Sequence, residues 1–425
     1  MTGSFDIAFN FIVYLVTFLA VWWAAPKNRC GLFLTGLYAV FALNALLLFL
    51  FFDSRHEYGH LHGLLPFFGL YLLLILLGWP VIAFRDGALD ALAISRSRKV
   101  LVFLWACGLV YLATMLPLLP EKFSQALTLL KTNSFDESYL ERIGEVRQRS
   151  GLNFSSLWRF PAECITDLIP FFFFFSLVLK HRRLSVLFGA ELPYTVVANT
   201  ASAGRSGLVR FALLLAFCVL AFRRLLPPRT FRGICLGLGI LVAAVAGIVG
   251  IQTFSRYGKK VSADAVESAM VYAGQPMLNY NQYVSGMELH SRGNNNFAMF
   301  RMLMGLEHPK RRSDFKNQWR PRLGIPLNVF YTAVGDWVID FGWLPVACAL
   351  AVFARLFRKL TEVRGRTATL SQLYWAYFVF VLAGPGCFYY NYKTTIGGAT
   401  LLALLAVGCF WLALERSRKW EVWHA

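Results

Sequence analysis

Runs of about 20 apolar residues recur along almost the whole chain, and they decide what it can fold into. A helix of that length matches the thickness of a bilayer core, and a backbone in lipid must satisfy its own hydrogen bonds. Eleven stretches fit, at roughly 5–25, 31–52, 64–84, 100–120, 161–179, 184–203, 206–222, 233–253, 338–356, 369–391 and 395–414. The expected fold is all-α: a polytopic transmembrane helical protein, with residues 1–425 forming a single integral membrane domain. The 15% of charged residues supports this, because a soluble domain carries about 25%.

The net charge of +19 raises the question of nucleic acid. Its distribution answers that question better through membrane topology. Alternate short connections hold Lys27 and Arg29; Arg85, Arg96, Arg98 and Lys99; Lys180, Arg182 and Arg183; Arg223, Arg224, Arg229 and Arg232; Arg355, Arg358, Lys359, Arg364 and Arg366; and Arg416, Arg418 and Lys419. The other short connections hold only Arg55, the Arg205–Arg210 turn and Lys393. Cytoplasmic loops carry such an excess of Lys and Arg. The N-terminus is therefore expected outside and the C-terminus in the cytoplasm. The long loops 121–160 and 254–337 fall outside, which in a bacterium is the periplasm. The first apolar run has no Lys or Arg before it and reads as a retained span. No nucleic-acid-binding motif is present. The eight cysteines form no CxxC, so neither a disulfide framework nor a zinc site is expected.

In the first long loop, Ser134-Phe135-Asp136-Glu137 is a capping box, followed by Tyr139, Leu140, Ile143 and Val146 at helical spacing. Arg142 and Arg149 share an edge of that stripe. The helix either lies at the interface with its arginines snorkelling, or offers a cationic edge to a lipid diphosphate.

The sixth stretch carries Glu191, Pro193, Asn199, Thr200 and Ser202 and runs into Ala203-Gly204-Arg205-Ser206-Gly207. Polar groups in a span usually face a cavity or a partner. Arg205, between glycines, is either a membrane-surface anchor or a close contact for an anionic ligand.

The second long loop opens with Arg256, Lys259 and Lys260, and Ser262 or Asp264 is placed to cap a short helix through Met270. Aromatics and amides then mix from Tyr272 to Asn281. That mixture suits either sugar binding or a membrane-interface aromatic belt. Residues 292–322 are polar and basic and point to nothing specific.

Phosphate-loop, GxSxG, HExxH and Asp-x-Asp motifs are absent. Asp336 and Asp340 are four apart, as are Glu163 and Asp167. Such pairs more often cap helices or meet arginines than hold a metal. His290, near Glu288, is a candidate general base. The remaining signal is a set of arginines expected outside: Arg142, Arg147, Arg149, Arg205 and Arg256. Guanidinium forks match phosphate oxygens and keep their charge.

The order of these parts over roughly residues 100–360 resembles the Wzy-type O-antigen or oligosaccharide repeat-unit polymerases. The features are Arg142 and its neighbours in an outer loop, and the small-small-Arg-small turn at Arg205. Next come Arg256-Tyr257-Gly258 opening the large loop, and Gly274-Gln275-Pro276-Met277-Leu278-Asn279. The last are Asn328-Val329-Phe330-Tyr331-Thr332 and Asp340-Phe341-Gly342. Phe330-Tyr331 departs from the family's more compact Asn-Val-Tyr-Thr. The resemblance implies a GT-C-like glycosyltransferase of the bacterial inner membrane. It would join undecaprenyl-diphosphate-linked oligosaccharides at the periplasmic face, without a cofactor or metal, with a chain-length regulator protein as partner. On that footing Arg205 and Arg256 would neutralise diphosphates, and Arg142, Arg147 and Arg149 would guide the lipid headgroup. Asn279, Tyr280, Asn328 and Tyr331 would contact sugars, and Asp340 or His290 would be the base. An O-antigen ligase-like enzyme and a lipid-linked oligosaccharide flippase are the alternatives.

Overall fold

This computed structural model describes residues 2–56, 58, 60–95, 97–132, 154–202, 205–257, 263–309, 312–327, 329–363, 365–415 and 420–424. The chain divides into two units. The first comprises Met1–Gly87, Val266–Glu362 and Trp375–Leu401; the second comprises Ala88–Ala265, Val363–Tyr374 and Leu402–Ala425.

Among the described residues, eight helical stretches are long and apolar enough to cross a membrane: Gly3–Ala24, Arg29–Phe52, Leu64–Ile82, Ser97–Thr132, Phe160–Val178, Arg205–Phe222, Pro228–Gln252 and Thr395–Glu415. The other three expected spans are helical but fall short of that measure. Arg182–Ala201 carries the polar groups already noted, and Trp343–Thr361 carries Arg355, Arg358 and Lys359. Leu370–Ala383 has 14 residues, about 21 Å of helix against a core of about 30 Å.

The first unit begins with α1 (Thr2–Ala24), α2 (Arg29–His56) and α3 (Leu64–Ile82). Asn28 starts α2: its Oδ1 accepts from the Gly31 N–H at 2.9 Å, and its Nδ2 donates to the Ile82 carbonyl at the end of α3. Asp86 adds a second cap. Its carboxylate accepts from the N–H groups of Arg29 and Cys30, both at 3.2 Å.

Asp86 is 3% exposed. Burial raises its pKa from 3.8 to about 6, against the lowering effect of the N–H donors. Between those values the folded state keeps a proton that the unfolded chain has released. Asp86 therefore makes stability fall as pH rises through that window, by about 3 kcal/mol in all. Melting temperatures from pH 4 to 7 are expected to show this fall, and Asp86→Asn to flatten it.

The second unit follows with β1 (Ala91–Ser95), α4 (Ser97–Met115), α5 (Leu119–Thr132), α6 (Phe154–Ile165), α7 (Ile169–Val178), α8 (Arg182–Ala201), α9 (Arg205–Phe222) and α10 (Pro228–Tyr257). Its core is aromatic. Phe171, Phe172, Phe174 and Phe175 are buried, and Phe171 meets Tyr374 edge-on at 5.4 Å. Asp167 pairs with Arg210 at 3.0 Å. The expected loop 121–160 is helical at both described ends, through α5 and α6; the helix expected from Ser134 lies outside the described residues.

The chain returns to the first unit through α11 (Ala263–Asn279), whose leading residues precede the division at Val266, a π-helical turn (Tyr280–Val284), α12 (Ala298–Leu303), α13 (Arg312–Leu323), α14 (Ala333–Phe341) and α15 (Trp343–Thr361). Thr332 caps α14 through Gly335 N–H at 3.1 Å. Gly342, at φ +81°, separates α14 from α15. The stretch expected to begin a span at 338 therefore breaks there, and Asp340 belongs to the shorter helix before it. The α3 end is tied to α15 by Arg358 Nη1, which donates to the Ala83 carbonyl at 3.0 Å.

Strand β2 (Thr367–Thr369), α16 (Leu370–Ala383), α17 (Thr395–Glu415) and β3 (Trp420–His424) complete the chain. The sheet has order β2-β1-β3, with β1 parallel to β2 and antiparallel to β3. The rest of the architecture is helical, in keeping with the all-α expectation. The three strands come from the connections after the third, ninth and eleventh apolar stretches, which the charge pattern assigned to one side. Pairing in one sheet requires them to share a side.

Candidate functional site

In the first unit, α14 presents Asp336 and Asp340 one turn apart, and both are buried, at 1% and 0% exposure. Their environments differ. Asp340 accepts from the N–H of Asn295 at 2.9 Å, the N–H of Asn296 at 3.0 Å, Asn296 Nδ2 at 2.7 Å and the Ser291 hydroxyl. Ser291 and Arg292 also donate backbone N–H groups to the carbonyls of Ile339 and Asp340, at 2.9 and 2.8 Å. One carboxylate thus fastens the Ser291–Asn296 loop to the end of α14. Asp336 pairs instead with Lys393 at 2.6 Å and accepts from Tyr390 N–H at 3.2 Å. Among the described residues, no group of three or more His, Cys, Asp or Glu is arranged to hold a metal.

The segment Tyr280–His290 forms a wall between two cavities. One, of about 440 Å³, is mainly apolar and borders Leu65, Phe68 and Leu72 of α3, Trp343 of α15, Tyr280 and His290. Leu65 and Phe68 are exposed, so this cavity adjoins the outer apolar face of α3. His290 packs under Gly342, where an added Cβ would stand 2.8 Å from its Nε2. Its Nδ1 has no hydrogen-bond partner among the described residues.

The second cavity, of about 410 Å³, is open and polar, bordered by His62, Gln282, Tyr283, Glu288 and Arg322. Met287 borders both. Different residues of one segment thus serve an apolar and a polar space.

The structure brings Asp340, His290, Asn279, Tyr280 and Tyr331 into this unit, with different surroundings. Asn279 Nδ2 donates to the Phe330 carbonyl at 3.0 Å, and the Tyr331 hydroxyl donates to the Pro326 carbonyl at 2.7 Å. Both side chains are buried and tie the end of α11 to the 326–331 segment. Burial holds the Tyr331 phenol well above its ordinary pKa. Tyr280 and His290 border the apolar cavity; Asp340 does not border either cavity. The helix expected to end near Met270 runs on to Asn279, so most of the aromatic and amide stretch is helical. Tyr272 stacks on Phe388 at 5.3 Å.

Arg205 begins α9 in the second unit and is 6% exposed. The first turn of α9 lies close against α8: an added Cβ on Gly207 would stand 2.0 Å from Asn199 Oδ1. Arg256 lies in the last turn of α10, and its side chain lies outside the described part. Arg142, Arg147, Arg149 and Asn328 also lie outside the described residues.

Sequence reasoning passed over Gln282, Tyr283 and Arg322. Their available signal was the continuation of the aromatic–amide mixture past Asn281. Comparison with family models, curated proteins and solved structures finds no match.

Proposed function

We propose that the protein is a membrane glycosyltransferase that joins polyprenyl-diphosphate-linked oligosaccharide repeat units, in the manner of the Wzy-type polymerases it resembles. The observation that carries this reading is the adjoining pair of cavities along Tyr280–His290, one apolar and open toward the lipid-facing side of α3, one polar and open. An amphipathic substrate with a long hydrocarbon and a sugar head matches that division. In the proposed arrangement Tyr283 offers a ring face to a pyranose, while Gln282, Glu288 and Arg322 hydrogen-bond its hydroxyls. His290 is the better placed of the two candidate bases, because the Asp340 carboxylate already accepts four hydrogen bonds. A neutral imidazole nitrogen there would accept the proton of the attacking sugar hydroxyl as the glycosyl–phosphate bond breaks. The departing lipid diphosphate takes the bonding pair, and fixed arginine charge stabilises it. Inner-membrane location and a periplasmic working face belong to the same proposal, as do a chain-length regulator protein and lipid-linked oligosaccharides as partners.

The test is kinetic. Tyr283→Ala and Arg322→Gln are expected to raise KM for a lipid-linked oligosaccharide about tenfold, the size of a lost stacking or hydrogen-bond contact. They should change kcat little, because the groove holds sugars away from the reacting bond. Unchanged KM in both variants would remove the polar groove from the site. A ligase-type enzyme shares the donor half of this chemistry, and the acceptor distinguishes it: loss of a polymerase leaves single repeats on lipopolysaccharide, and loss of a ligase leaves none. The transport alternative draws on Glu191, buried in α8 with neither carboxylate oxygen hydrogen-bonded among the described residues. That alternative requires dependence on an ion gradient.

A further inference from the structure

The helices that border the apolar cavity near the Trp343 end of α15 also border a different groove farther along. Leu76 and Trp79 of α3 and Ala354, Arg355, Arg358 and Lys359 of α15 surround a space of about 480 Å³. Lys359 is 16 residues beyond Trp343, about 24 Å along the helix and close to the thickness of a bilayer core. Three cations lie within two turns of one helix, at i, i+3 and i+4, and so share a face. Beside them Trp79, exposed by 46%, offers an indole of the kind that settles at headgroup level.

The cations have different duties. Arg358 is half-buried and donates to the Ala83 carbonyl at the end of α3. Arg355 and Lys359 are exposed, and among the described residues neither forms an ion pair with an acidic side chain. A groove with apolar walls below and two available cations above complements a phosphodiester carried on acyl chains. A cytosolic anion would leave Leu76 and Trp79 uncovered.

We propose that this groove binds one anionic glycerophospholipid. Its phosphate lies between Arg355 and Lys359, and an acyl chain lies along Leu76 and Trp79. The lipid then braces α3 against α15, the pair whose other ends border the His290 cavity. This binding site does not depend on the glycosyltransferase reading.

The test uses the full chain in detergent, titrated with phosphatidylglycerol or phosphatidylcholine and followed by native mass spectrometry. Each juxtamembrane cation gives about a fivefold preference for anionic lipid, so two give about 25-fold. The wild type is expected to bind the first phosphatidylglycerol with about that preference, and R355Q/K359Q to lose it. W79A is expected to weaken the same binding event severalfold, and R182Q/R183Q to leave it unchanged. Melting curves on each variant establish that it is folded. A preference that survives in R355Q/K359Q overturns the proposal. So does indifference to W79A, or an equal loss in R182Q/R183Q, since either marks diffuse attraction to basic surface.

Discussion

Asp340→Ala is expected to lower the stability of the first unit by about 4 kcal/mol, with the Ser291–Asn296 loop detaching from α14. The substitution removes the shared acceptor of four donors: the Ser291 hydroxyl, the backbone N–H groups of Asn295 and Asn296, and Asn296 Nδ2. Each buried donor left without an acceptor costs about 1–3 kcal/mol, and water entering the opened loop recovers part of the sum. Asp340→Asn keeps one carbonyl acceptor but places an NH2 against the remaining donors, so about half the loss is expected. Thermal melting of the purified protein reads the first effect, and protease cleavage within 291–296 reads the second. A melting temperature and cleavage pattern like those of the wild type would show that the clamp does not hold the loop. Because His290 directly precedes that loop, Asp340→Ala is also expected to lose activity before it unfolds completely.

If Arg205 neutralises a lipid diphosphate, as the family resemblance implies, Arg205→Ala is expected to reduce repeat-unit joining by about 100- to 1,000-fold, the usual cost of removing a fixed group that stabilises developing charge. Arg205 starts α9, whose first turn packs closely on α8 where Gly207 meets Asn199. The side chain is buried, and alanine will also lower stability. Arg205→Lys separates the two effects. It keeps the charge but loses the planar fork, so melting is expected to recover while kcat stays about tenfold or more below the wild type. Full activity in a folded Arg205→Ala protein would exclude Arg205 from charge stabilisation.

What the sequence made legible was set by local chemistry. Every apolar run became helix, because a span of lipid-compatible side chains leaves the backbone no other way to satisfy itself. The four-residue spacing of Asp336 and Asp340 correctly put them on one face of one helix. Where each carboxylate points was hidden, because the partners of Asp340 lie 44–49 positions away in sequence and those of Asp336 include Lys393, 57 away. Asn295 and Asn296 had looked uninformative for the same reason. The sheet was missed because β2 has three residues and β1 and β3 have five; strands so short gain their order from pairing across distant connections. Amides also misled. Asn279 and Asn281 have the chemistry to bind sugar hydroxyls, yet they bond backbone: Asn279 to Phe330, and Asn281 to His62 and Gly63. Composition does not distinguish an amide aimed at a ligand from one that fixes a loop.

The paired cavities make a direct demand on chemistry. The full-length protein, purified and placed in lipid nanodiscs, is mixed with undecaprenyl-diphosphate-linked oligosaccharide and no nucleotide sugar, nucleotide or ion gradient. A ladder of lipid-linked products is expected, each longer by one repeat unit, with free undecaprenyl diphosphate released at every step. Intact substrate recovered without elongation, from protein that melts as a folded species and is supplied with both donor and acceptor, would contradict it.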